Sequence, residues 1–176
     1  MKRTLRIFGI VYLLFAAFSA KSQSTSDTVI TDPIAYNDFI VEQQNYIGLE
    51  IKVFSSIISD TTSYKSEAVA ELEVLKSAVE KSTKNLKRLK QLNPDFNMKS
   101  QAVNLFGFYK RIMETYYVDF LDELYVEIPD MDNLNVLLDK ITDEEAVYDN
   151  AYADAQKAFA EHYNISLEEN TLYEEE

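Results

Sequence analysis

The chain has 176 residues with 17 basic and 30 acidic side chains, a formal charge of −13. So acidic a chain lacks the cationic surface that replaces phosphate counterions, which excludes nucleic acid as a partner, and anionic lipid fits no better. The absence of cysteine rules out disulfides, thiol catalysis, iron–sulfur ligation and covalent haem attachment.

Lys2, Arg3 and Arg6 precede an apolar run from Ile7 to Ala20, and Ala20-Lys21-Ser22 follows with small residues at alternate positions. Charged start, short apolar middle and small-residue exit read as a secretory signal peptide over 1–22. The run is shorter than the roughly 20 apolar residues a membrane span needs. Cleavage is expected after Ser22, or after Ser19, leaving a protein with no membrane span that is periplasmic, cell-surface or secreted. Without the four cations of that segment, 13 basic side chains face 30 acidic ones. Residues 112–176 hold 19 carboxylates against Lys140 and Lys157 alone.

After a linker over 23–32, Asp32-Pro33 supplies a capping carboxylate and a proline at the first helical position. Tyr36, Ile40, Gln43, Ile47, Ile51, Phe54 and Ile58 then recur at steps of three and four, predicting a helix over 33–59. The second helix is expected over 64–92, with the heptad seam Ala68, Leu72, Leu75, Val79, Ser82, Leu86 and Leu89. Asn93-Pro94 breaks it, because the residue before proline avoids the helical region. The third helix is expected over 96–127, carrying Ala102, Leu105, Tyr109, Ile112, Tyr116, Phe120 and Leu124 inward. After Ile128-Pro129 the fourth is expected over 132–163 with Leu134, Leu138, Ile141, Tyr148, Ala151 or Tyr152, Ala155, Phe159 and His162 on its stripe. An acidic tail over 166–176 closes the chain. Four helices of similar length joined by short connections predict an all-α, antiparallel up-down four-helix bundle over 33–165. That order would gather carboxylates at the pole shared by the start of the second helix, the end of the third and the start of the fourth.

Few enzyme signatures survive the inventory. His162 is the single histidine, so two-histidine zinc and di-iron sites cannot be built. Glycine-rich phosphate loops and the Gly-x-Ser-x-Gly elbow are missing. Asp130-Met131-Asp132-Asn133-Leu134-Asn135 resembles the opening of a calcium loop, but Leu134, Asn135 and Ile141 occupy positions that need a ligand, a glycine and a glutamate. It reads instead as a helix N-terminus. Met98 and His162 could bracket a haem at one pole; a half-exposed histidine at a helix C-terminus is the plainer reading. No cofactor, metal or catalytic residue is therefore assigned.

The polar positions on apolar stripes are more telling. Gln43, Ser82 and either Glu144 or Glu145 need buried partners, and Tyr109, Tyr116 and Tyr148 offer hydroxyls. Gln43, Tyr109, Tyr116, Glu144, Glu145, Tyr148 and His162 are thus the candidate ligand or partner residues. The alternative role for such polar groups is to fix helix register. Tyr117 and Tyr125, off the main stripe, could anchor a partner from the surface.

The Tyr36-Asn37-Asp38-Phe39-Ile40 opening, the Gln43-Gln44 pair and Phe106-Gly107-Phe108-Tyr109-Lys110 resemble uncharacterised exported helical-bundle proteins of Gram-negative bacteria. That resemblance implies a fold and a location and brings no activity or site residue. The Gly-x-His-x-x-Glu motif of imelysin-like exported proteins is absent. The sequence thus points to a non-enzymatic exported bundle that binds an envelope protein or serves as a scaffold. A periplasmic cation- or small-ligand-binding protein using the acidic pole or the polar core positions is the alternative.

Overall fold

The structure, a computed structural model, describes residues 27–167. The signal segment and residues 168–176 of the acidic tail lie outside that range. The described chain is an all-α four-helix bundle built from α1 (Pro33–Ser59), α2 (Lys65–Arg88), α3 (Met98–Glu114), α4 (Tyr116–Leu124) and α5 (Met131–Tyr163). No helix among the described residues is long and apolar enough to cross a membrane.

α1 begins where its sequence dictates. Asp32 accepts from the Ala35 backbone N–H at 2.8 Å, and Pro33 occupies the first turn, where its missing N–H costs nothing. Asp32→Ala is expected to lower stability by about 1 kcal/mol, read as a lower denaturant midpoint at unchanged slope. An unchanged midpoint would show that the cap contributes nothing.

All seven predicted seam residues are buried, six on α2 from Ala68 to Leu86 and Leu89 at its C-cap. The helix stops at Arg88, four residues short of the predicted end. There the chain pairs with the segment read as a linker: Thr28 N–H donates to Arg88 O at 3.0 Å, and Lys90 N–H to Thr28 O at 2.8 Å. The Lys99 ammonium also donates to the Leu89 carbonyl. These partners satisfy backbone groups that a longer helix would have used internally.

The predicted third helix is two helices, broken at Thr115 (φ −123°, ψ −84°). The Thr115 hydroxyl donates to the Arg111 carbonyl at 2.8 Å, while its backbone N–H is left with a long bond to Ile112 O at 3.4 Å. Threonine back-bonding of this kind competes with the helical ladder and bends it. The break shifts the inward phase by one residue. Tyr117, Phe120 and Leu121 are buried beyond it, while the expected Tyr116 and Leu124 are only half-buried.

α5 is capped by Asp130, which accepts from the Asp132 and Asn133 backbone N–H groups at 3.0 and 3.1 Å. Its own N–H donates to Glu123. The calcium-like stretch is thus an N-cap, as its sequence implied. Cross-helix contacts place the start of α1 near the end of α5 (Asn37 with Gln156) and the start of α2 near α4 (Lys65 with Asp122). α3 is the most enclosed rod. Phe106, Phe108 and Met113 are buried beside its predicted stripe, because α2 lies on one side and α5 on the other.

Candidate functional site

The seven candidate residues divide among three places. The largest group lies where α5 crosses the α3–α4 break. Glu145 is 8% exposed and accepts a hydrogen bond from the Tyr109 hydroxyl, itself buried. Asp149, one helical turn along α5, is half-buried beside it. Burial first, and then the nearby Glu145 charge, raise the pKa of Tyr117 on α4. The Tyr117 ring meets Phe54 of α1 edge-on at 5.2 Å.

Electrostatics follow from this enclosure. Burial first, then the Asp149 charge, push the Glu145 carboxyl up to about 7, against the partial relief of the Tyr109 bond. Burial alone lifts Asp149 to about 6. The Tyr109 hydroxyl is held neutral by burial, then by Asp149 and Glu145. Neither carboxylate joins any ion pair among the described residues. An acid buried without a cation favours its protonated form.

Glu144, the neighbouring residue, faces the other way. Its oxygens accept from Arg111 at 2.5 Å and from the Tyr116 hydroxyl at 2.8 Å. These two bonds hold its carboxyl below the ordinary value. Lys140 lies 4.5 Å over the Tyr116 ring, completing a rim of charges at the surface. Helical phase decides between the two glutamates. Glu145 is one turn after Ile141 and two before Tyr152, all on the buried face, whereas Glu144 is rotated toward solvent. Tyr148 sits between the two layers, half-buried, with its ring stacked on Phe108 at 4.9 Å.

The remaining candidates lie elsewhere. Gln43 is buried, but its partner is Asn85 of α2, which donates to Gln43 Oε1 at 2.9 Å. The expectation that tyrosines would serve it is corrected; the Tyr116 hydroxyl goes to Glu144 and that of Tyr109 to Glu145. Ser82 is fully buried, and its hydroxyl has no partner among the described residues. His162, expected on the apolar stripe, is exposed instead. One turn past Phe159, the helix has drifted so that Ala160 is buried, leaving the imidazole against the rings of Phe96 at 4.8 Å and Tyr163 at 4.6 Å. Met98, by contrast, is fully buried.

Of the two tyrosines expected at the surface, only Tyr125 remains partly exposed. Tyr117 is buried by the phase shift at Thr115, and the Tyr125 hydroxyl is 2.8 Å from Ser63 Oγ in the α1–α2 turn. Sequence reasoning also missed Asp149 and the Asn37–Gln156 amide pair, bonded at 2.9 Å. An i+4 step from Glu145 would have found Asp149. Nothing local marked Gln156.

Chemically, the inner group can hold and release protons, and the outer rim is a salt-bridged surface. No serine bonds to His162 among the described residues, and no three Asp, Glu or His side chains gather as a metal site there. No protein-family model matches this chain, and neither a curated protein nor a solved structure matches it.

Proposed function

We propose that the chain is an exported, non-enzymatic helical bundle that acts by binding, or as a scaffold, at the cell envelope. The observation that carries this reading is how its buried polar side chains are used. Gln43 with Asn85, Asn37 with Gln156 and Tyr109 with Glu145 each join two different helices. Pairs of this kind fix register between rods. His162 packs on aromatic rings at the rim, with no serine bonded to it among the described residues. The apolar run after Lys2, Arg3 and Arg6 supports export.

Fractionation of cells expressing the tagged full chain tests the location. A processed protein starting at Gln23 or Ala20, recovered outside the cytoplasm, is expected. An unprocessed cytoplasmic product overturns the reading.

A cation- or small-ligand-binding role draws on a different observation, the desolvation of Glu145 and Asp149 without a compensating cation. A ligand that binds only the native state raises the melting midpoint. Midpoints unchanged by calcium, magnesium and zinc at neutral pH would leave the scaffold reading standing; a rise of several degrees with one of them would replace it.

A further inference from the structure

We propose that Glu145 is a pH-sensitive latch on the seam between α5 and the broken α3–α4 rod, closed when the carboxyl carries its proton and loosened when it loses it. The device goes beyond the binding role and holds whatever the molecule binds.

Three observations converge on it. Glu145 is 8% exposed, so its ionised form has little water to solvate it. It is also placed to act on both halves of a discontinuous element. Tyr109 of α3 donates to it from before the Thr115 break, and Tyr117 of α4 feels its charge from beyond the break. A continuous helix would resist local opening along its whole ladder. Here α4 has only nine residues and is held largely by what Tyr117, Phe120 and Leu121 bury. Finally, the charged groups around Glu145 offer the anion nothing. The elements packed on this part of α5 are α3 and α4. From α3 comes the neutral Tyr109, while Arg111 is turned outward and engaged by Glu144. From α4 comes the neutral Tyr117; its acids Asp119 and Asp122 are exposed and Glu123 accepts from Asp130. On α5 itself the neighbour is Asp149, a second acid.

The direction is fixed by linkage. Glu145 ionises near 7 in the fold against an ordinary 4.5. The native state therefore binds more protons than the unfolded one between those values, and stability falls as pH rises through that window. The span corresponds to roughly a two-order-of-magnitude loss in the folding equilibrium constant. The seam that houses the group is where that loss is felt.

The test compares the full chain with its Glu145→Gln variant, by thermal melting and tyrosine near-UV circular dichroism from pH 5 to 8.5. The chain has no tryptophan, so the dichroism reports tyrosine packing. The wild-type signal is expected to change with a midpoint near 7 as its melting temperature falls. Glutamine cannot ionise and can still accept from Tyr109, so the variant should lose the transition near 7, keep only the step near 6 that Asp149 contributes, and melt higher than wild type at pH 8. A variant that titrates as wild type does, or a wild-type tyrosine signal that is flat across the range, overturns the latch. Asp149→Asn, at a half-buried position, is a second arm. Removing that charge should move the wild-type midpoint to lower pH, and an unmoved midpoint counts equally against the proposal.

Discussion

Phe159→Ala is expected to cost about 3–5 kcal/mol, among the largest losses any single truncation of this core should produce. The ring is 1% exposed and is the common neighbour of three segments. Its centroid lies 5.6 Å from Tyr36 of α1, 5.8 Å from Phe96 in the α2–α3 connection and 4.7 Å from Tyr163 at the end of α5. Alanine would remove the transfer energy of a buried ring and leave a cavity whose walls belong to three different elements. Walls so separated in sequence cannot all collapse inward at once, so relaxation should recover little. For a domain of this size each kcal/mol lowers the melting temperature by roughly 2–4 °C, so the midpoint should fall on the order of 10 °C. The Asn93–Tyr163 bond, 3.3 Å long and next to the same cluster, should loosen with it. A loss under about 1.5 kcal/mol would mean that this end of the bundle repacks freely, and that α1 and α5 are not joined there as described.

That cluster also shows how far a sequence pattern carries. Phe159 and Tyr36 were legible, because each falls on a stripe of period near 3.6 and such stripes bury themselves whatever the details of the fold. The heptad seam of α2 was legible for the same reason, down to its single serine. What defeated the pattern was a change of phase. Thr115 looks like any other polar residue within a helical window, yet its back-bond to Arg111 ends one helix and starts another, turning Tyr117 inward and leaving Tyr116 half-buried. The same limit applied to Glu144 and Glu145. Adjacent residues lie about 100° apart on a helix, so a stripe with one position of uncertainty could not say which was buried. The α2 terminus failed differently. The segment around Thr28 reads as a linker, and its pairing with residues 88–90 is a long-range choice to which local propensity is blind. Of the candidate site, the Tyr109–Glu145 partnership was implicit in the demand that buried polar groups find partners. Asp149, which deepens its electrostatics, was hidden among the many acids of the last third of the chain.

Tyr109→Phe isolates that partnership, and its cost should depend on pH. The substitution keeps the ring, with its neighbours Phe106 at 6.4 Å and Phe108 at 5.8 Å, and removes only the hydroxyl that donates to Glu145. At pH 5 the folded carboxyl carries its proton, and the lost bond is worth about 1 kcal/mol. Near pH 8 the folded carboxyl is ionised, and a buried anion deprived of a donor costs about 1.5–3 kcal/mol. The Tyr109 bond lowers the Glu145 value, so without it the group should ionise above its present value near 7. The gap from the unfolded value then widens. Stability supplied by the protonated form is complete below about 4.5 in both proteins, and in the variant it drains away over a longer stretch of pH. Denaturant unfolding of the two proteins at pH 5 and pH 8 should therefore show a penalty that grows by about 1 kcal/mol between them. A penalty equal at both values would show that the hydroxyl does not serve the carboxylate. In a Tyr109→Phe, Glu145→Gln double variant the pH dependence of the penalty should vanish, because an amide does not ionise. If it persisted, another acid at the seam, with Asp149 the nearest, would be the group that responds.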